Sequence, residues 1–395
     1  MTRNRPPRSP RLSARKGLAL PMAIGGIVLI GMILAGVFFT ATQENRVGRN
    51  TITQERAFRA SEYGLNNTYA NWNNSTMNTL SNGASATVVD NHPLRGFLDT
   101  VQVTRLNTQT FMLVSTGYAG SGSTFARHRT SNVLRVNFPS LNVLAALTVR
   151  GALKLGGSSF IEGVDTPPAG WTDCGPTGPE QPGIAATSSD SSTISLSGCK
   201  SFKCVDGNPD VQTTPAAGDS NTYFNFGNGI TWATLTAAAT ISMPASSVGS
   251  TPDPSTTAGG GCRTGDSMNW GDPFRNTPAG ACETYFPIVY ISDTTGSTHI
   301  TGGVGQGVLL VDGDLTVDGG FQWFGPVIVR GHLSTQGTGG HFNGAVMAAD
   351  VDLELNNLLG NALVTYSSCA VTDALIGAGI PKKLTQRAWT EMYHH

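Results

Sequence analysis

The first 43 residues constrain this chain more than any other part of it. Arg3, Arg5, Arg8, Arg11, Arg15 and Lys16 fall within sixteen residues that contain no acid. From Gly17 to Gln43 there is then no charged residue, and Leu18 to about Phe39 is apolar. As a helix rising ~1.5 Å per residue, about 22 to 25 such residues cross a ~30 Å hydrocarbon core. A buried core helix seldom runs that far without a charge, and the apolar part of a secretory signal is roughly 7 to 15 residues. The sequence therefore predicts a membrane helix over residues 18–42, preceded by a basic stretch over 1–17. Basic residues on one flank only put the N-terminus in the cytoplasm and everything after Gln43 outside.

Helical character continues beyond the span. Phe58, Leu65, Tyr69 and Trp72 recur at spacings of seven, four and three, one helical face, with Gln54, Glu55, Arg56, Arg59 and Glu62 as the solvated side. Residues 43–82 are thus expected to form an amphipathic stalk and linker. Gly48 and the Asn50-Thr51 pair leave open whether this is one helix with the span or a second one. Within the span, Gly31 and Ala35 stand four apart and would permit close helix contact.

Two segments carry a family resemblance. Arg15-Lys16-Gly17-Leu18-Ala19-Leu20, and later Ala57-Phe58-Arg59-Ala60-Ser61-Glu62-Tyr63-Gly64-Leu65, resemble the N-terminal region of PilX-type minor pilins of type IV pili. The resemblance implies a prepilin leader cut after Gly17 by a prepilin peptidase. Leu18 then becomes the first, methylated residue of an assembly helix that also holds Pro21, Met22, Gly31 and Ala35. A Gly leaves the cleavage site open, and Pro21 in the first helical turn lacks only an N–H that would be unpaired anyway. Most pilins carry Glu at the fifth mature position, where this chain has Met22; that departure resembles tip-capping subunits. The family-like stalk motif comprises Ala57, Phe58, Ala60, Glu62, Gly64 and Leu65.

After Asn82 the pattern turns to strands. Residues 97–106, 110–118 and 126–137 are rich in Val and Thr and are separated by Asn107-Thr108 and Gly120-Ser121-Gly122, which predicts antiparallel hairpins over 83–140. Residues 141–395 then form an added head. Segments beginning at 309, 327 and 346 repeat at steps of 18 and 19 residues, and residues 147–155 share Val-Arg-Gly-x-Leu with the segment at 327. A period near 18 with Gly or polar corners suggests a parallel β-solenoid, against the alternative of an ordinary sandwich. It also gives the 49 glycines a use at the corners. The expected fold class is α+β and pilin-like, a long N-terminal helix packed on an antiparallel sheet, with an all-β, solenoid-like C-terminal domain.

Cys174, Cys199, Cys204, Cys262 and Cys282 lie in a Gly/Ser/Thr/Pro-rich insertion at about 160–285, and Cys369 lies beyond it. An even six on the exported side predicts disulfides, with local pairing of Cys262 with Cys282 and of Cys174 with Cys199 or Cys204. The spacing from Cys199 to Cys204 lacks a second pair and a neighbouring His, so zinc is not favoured. Asp206, Asn208 and Asp210 form a weak calcium candidate, because Val211 and Ala217 stand where an EF-type loop needs Gly and Glu. No nucleophile-elbow, P-loop or zincin motif occurs, and no cofactor or enzymatic activity is expected.

Removing the leader leaves 19 basic against 26 acidic residues, from totals of 25 and 26, which argues against nucleic acid as a partner. The expected function is a minor pilin near the filament tip, meeting major and minor pilins and a tip adhesin after a stage in the inner membrane. The alternatives are a pilus-borne adhesin or DNA-uptake module, or a type II secretion pseudopilin.

Overall fold

In the computed structural model the described residues are 19–92, 97–122, 125–190, 194–199, 204–245, 248, 251–292, 297–349, 355–384 and 389–391. One helix, α1, runs unbroken from Ala19 to Ala70, 52 residues that at ~1.5 Å each make a rod roughly 78 Å long. Neither Gly48 nor Asn50-Thr51 interrupts it. The hydroxyls of its exposed threonines bond back to the preceding turn, Thr51 Oγ1 to Val47 O at 3.0 Å and Thr53 Oγ1 to Arg49 O at 2.9 Å.

An antiparallel meander follows, of β1 (Ser85–His92), β2 (Phe97–Arg105), β3 (Thr110–Ala119) and β4 (Ala126–Asn137). Alternation aims Phe111, Leu113, Ser115 and Gly117 of β3 at α1 and turns Met112, Thr116 and Tyr118 away. Leu65 packs from the helix into a cluster with Val101, Val103, Phe111, Leu113, Leu134 and Val136. The sheet does not end near residue 140. Ile380–Lys383 and Trp389–Glu391 both pair antiparallel with β4, so these two strands belong to this sheet and not to the head. Ile380 lies opposite Asn137, which makes the whole stretch 138–379 the connection of a hairpin.

That connection is β-rich and parallel. Its strands form one twelve-stranded and one six-stranded sheet. Leu309 pairs with Val327 and Val327 with Val346, steps of 18 and 19 residues, and Val346 pairs with Leu147 from the start of the head. In the six-stranded sheet Leu315 pairs with Leu333, again 18 apart. The incoming strand Leu147–Val149 and the late strand Gly340–Ala348 are therefore neighbours, which brings the two ends of the head together.

An apolar core runs between these sheets and includes the buried Trp323, Phe321, Phe342 and Trp270. Phe321 and Trp323 stack with centroids 6.2 Å apart. A column of glycines, Gly307, Gly325 and Gly344, has φ of 111°, 131° and 148°, and a side chain at any of them would strike the backbone of a neighbouring segment.

Candidate functional site

The helix α1 has two halves with opposite surroundings. Its apolar N-terminal half is wholly exposed, and none of its most apolar 18-residue stretch is buried. Met22 is 74% exposed, Phe38 70% and Ile27 72%. A contiguous apolar surface of that size is bound to be covered by lipid or by protein. Met22 lies on it, and among the described residues nothing beyond the helix's own adjacent backbone comes within 4 Å of where a Cβ of Gly31 would be. Gly17 and Leu18 lie outside the described residues.

The C-terminal half is bolted to the sheet by small residues. Ala57, Ala60, Ser61, Gly64, Leu65 and Thr68 are buried, at helical spacings of three and four. Gly117 of β3 presses against this stripe, so that a Cβ there would fall 2.9 Å from Ala60 Cβ and closer still to the backbone of Ala57 and Ser61. Gly64 admits the fully buried Asp99 and Ser115 in the same way. The family-like motif thus has a local reason: its small residues let helix and sheet backbones approach. Glu62 is half-buried beside the stripe.

Larger side chains flank the seam. Phe58 meets His128 edge to face at 5.0 Å, and Trp72 meets Phe111 at 5.3 Å while its Nε1 donates to Asn78 Oδ1 at 2.9 Å. Tyr69 donates to Pro381 O at 3.3 Å, and Lys383 Nζ lies 4.7 Å from the Tyr69 ring and donates to Asn66 Oδ1 at 2.9 Å. The late strand Ile380–Lys383 is therefore tied to the helix as well as to β4. On the solvent side Arg59 and Glu55 pair at 2.8 Å, an exposed i,i+4 contact worth about 0.3–0.5 kcal/mol.

In the head, Cys262 and Cys282 form the expected local disulfide. Cys174 does not pair with Cys199 or Cys204. It is bonded to Cys369, 195 residues away, with Cα atoms 5.4 Å apart. The cause is the topology. The loop after Phe160–Glu162 and the helix Ser368–Gly377 after Leu363–Tyr366 leave from neighbouring paired strands. Asp165 strengthens the join by accepting hydrogen bonds from Ser368 N at 2.8 Å and Ser368 Oγ at 2.6 Å. Cys204 is disulfide-bonded too, and the side chain of Cys199 lies outside the described residues.

Near this bridge Arg275 Nη2 donates to Asp173 Oδ1 at 2.6 Å, which holds the Asp173 carboxyl below its usual range. Burial pushes Asp373 up to about 6, with the charge of Asp173 adding to the shift and Arg275 opposing it.

Asp206, Asn208 and Asp210 lie on a turn occupied by backbone bonds, Asn208 N to Gln181 O at 3.1 Å and Ile184 N to Asp210 O at 2.9 Å. Among the described residues no three His, Cys, Asp or Glu side chains gather as a metal site would require.

No protein-family model matches this chain, and no curated protein does. Among solved structures it is similar to the competence-associated pilin ComZ from Thermus thermophilus, at 13% identity over 87% of this chain and 98% of that one. The TM-score is 0.24, too loose a superposition to assign anything.

Proposed function

We propose that this chain is a non-enzymatic minor pilin of the PilX type, acting in type IV pilus assembly at or near the filament tip. The observation that carries this reading is the division of α1. One helix has an apolar half that no described residue covers and a second half fixed to a sheet. Such a helix rests in the inner membrane with its N-terminus cytoplasmic and then exchanges lipid for the helices of other pilins. Met22, Gly31 and Ala35 lie in the half that makes this exchange. A prepilin peptidase cutting between Gly17 and Leu18 precedes it, and a tip adhesin is a further partner.

N-terminal sequencing of protein recovered from cells tests the processing step, with Leu18 as the expected first residue. Immunogold labelling tests placement. Gold along the whole shaft rejects a tip role, and normal piliation after gene deletion rejects a role in assembly.

We read the head as successive turns of a β-solenoid. The parallel register at steps of 18 and 19 residues supports this, as does the pairing of Val346 with Leu147.

A second reading, a DNA-uptake module, has one observation in its favour. Arg127, Arg129 and Arg135 alternate along the face of β4 that turns away from α1, and Lys382 pairs beside Arg135. Phosphate contacts from such a row lose affinity steeply with salt. A full-length chain that shifts no DNA at low salt excludes this reading.

A further inference from the structure

Residues 251–285 form a loop with little regular structure, yet polar bonds fix its interior. Asn269, fully buried, donates from Nδ2 to Ser255 O at 3.0 Å and Arg263 O at 3.1 Å, and the Cys262–Cys282 bridge closes the loop. At its centre is Gly271-Asp272-Pro273. Asp272 is 1% exposed, and its Oδ2 accepts the Thr277 N–H at 2.6 Å and the Thr277 hydroxyl at 2.7 Å. The carboxyl group is thus held in one orientation, while Oδ1 is buried without a hydrogen-bond partner among the described residues. A buried carboxyl oxygen left unpaired is costly and calls for a reason.

The surroundings supply one. The main-chain carbonyl of Asp272 accepts the Arg275 N–H at 3.2 Å, and the next carbonyl, of Pro273, accepts Trp171 Nε1–H at 2.8 Å. Arg275 has φ of 56°, in the left-handed region that a residue with a Cβ enters at a cost, and Gly271 has φ of 91°. A fixed carboxyl group and a polarised carbonyl meet at one Asp–Pro peptide bond, with the left-handed backbone of Arg275 two residues beyond it.

We propose that Asp272 cleaves its own peptide bond to Pro273. Oδ1 adds to the main-chain carbonyl carbon of Asp272 and closes a five-membered ring, while the Arg275 N–H stabilises the charge growing on the carbonyl oxygen. The C–N bond breaks, its electron pair goes to the Pro273 nitrogen, and that nitrogen takes a proton from water. The products are a cyclic anhydride at residue 272 and a free secondary amine at residue 273. Water then opens the anhydride, restoring the side-chain carboxyl and leaving an α-carboxyl. The net change is hydrolysis of one peptide bond. Cys262–Cys282 and Cys174–Cys369 both span the cut, so the two pieces remain joined.

The test uses the full-length chain in detergent, kept folded at mildly acidic and at neutral pH and then run on denaturing gels with and without reductant. The expected result is one band before reduction and two after it, the smaller beginning Pro273-Phe274-Arg275. Asp253-Pro254 is the only other Asp-Pro pair and serves as an internal control, since ordinary acid lability would cut it too. Asp272→Asn is expected to lose the product entirely. Pro273→Ala, which keeps the carboxyl group and its bonds to Thr277, should give roughly tenfold less. A single band after reduction at both pH values overturns the proposal. So does equal cutting at Asp253-Pro254, or undiminished cutting in Asp272→Asn.

Discussion

Gly64 on α1 lies so close to Asp99 on β2 that a Cβ at Gly64 would come 2.5 Å from the carboxylate Oδ2, and 2.6 Å from Ser115 Oγ. Replacing Gly64 with Ala forces the helix off the sheet or displaces two buried polar groups. The expected loss is about 1–3 kcal/mol, the usual cost of overpacking. Thermal unfolding of the full-length chain measures it. Arg56→Ala, on the exposed side of the same helix, is the control and should change stability by less than about 0.5 kcal/mol.

The two mapped disulfides are not equivalent. Cys174–Cys369 closes 195 residues and Cys262–Cys282 closes 20. Loop-closure entropy alone makes the longer bridge worth about 2 kcal/mol more. Denaturant titration of the paired Cys→Ser variants is expected to rank them in that order. The reverse order would mean that the 251–285 loop is held mainly by its own bridge.

Asp373 gives the head a pH dependence of definite sign. Its carboxyl titrates at about 6 when folded, because it is buried, against the ordinary aspartate value of 3.8 that holds in the unfolded chain. The folded state binds this proton more tightly, so stability is greatest at low pH and declines as pH rises from about 4 to about 6. Asp373→Asn removes the dependence. The variant should match the parent below about pH 4 and melt higher at neutral pH, a comparison that melting curves across the range supply directly.

Gln306 is fully buried, and its Nε2 donates to Glu283 O at 2.9 Å and Tyr285 O at 3.0 Å, tying the 251–285 loop to the parallel sheet. Gln306→Leu leaves those carbonyls unpaired, at a cost of about 1–3 kcal/mol. The expected sign is local: reduction of Cys262–Cys282 by a mild thiol speeds up while that of Cys174–Cys369 does not. Equal acceleration of both would point to global loosening.

Features dictated by local pattern were legible in the sequence. The uncharged run after Lys16 announces the exposed half of α1, and the strands at 110–119 and 126–137 fall where their Val and Thr residues stand. The repeat is legible because in-register partners need similar shapes, and the segments at 309, 327, 346 and 147 prove to be partners of one another.

What escaped was set by contacts distant in sequence. The Cys174–Cys369 bridge and the return of Ile380–Lys383 to β4 depend on the two ends of the head meeting, which no local spacing encodes. In the stalk, hydropathy marks Phe58, Leu65, Tyr69 and Trp72, whereas Ala57, Ala60 and Gly64 stood out only through the family resemblance, and their place with Ser61 in a deeply buried row needed the structure. Small residues at spacings of three and four were the available signal. They carry little hydropathy, and their role is to yield space.

The hairpin of β4 and Ile380–Lys383 has a mechanical consequence. A pull on the head reaches the sheet through two adjacent strands at once, so the load is shared and neither strand peels away alone. A hairpin turn is also the place where a chain accepts an insertion with least disturbance, because entry and exit already lie side by side. The cargo between Asn137 and Ile380 is in that sense a replaceable tool on a fixed handle.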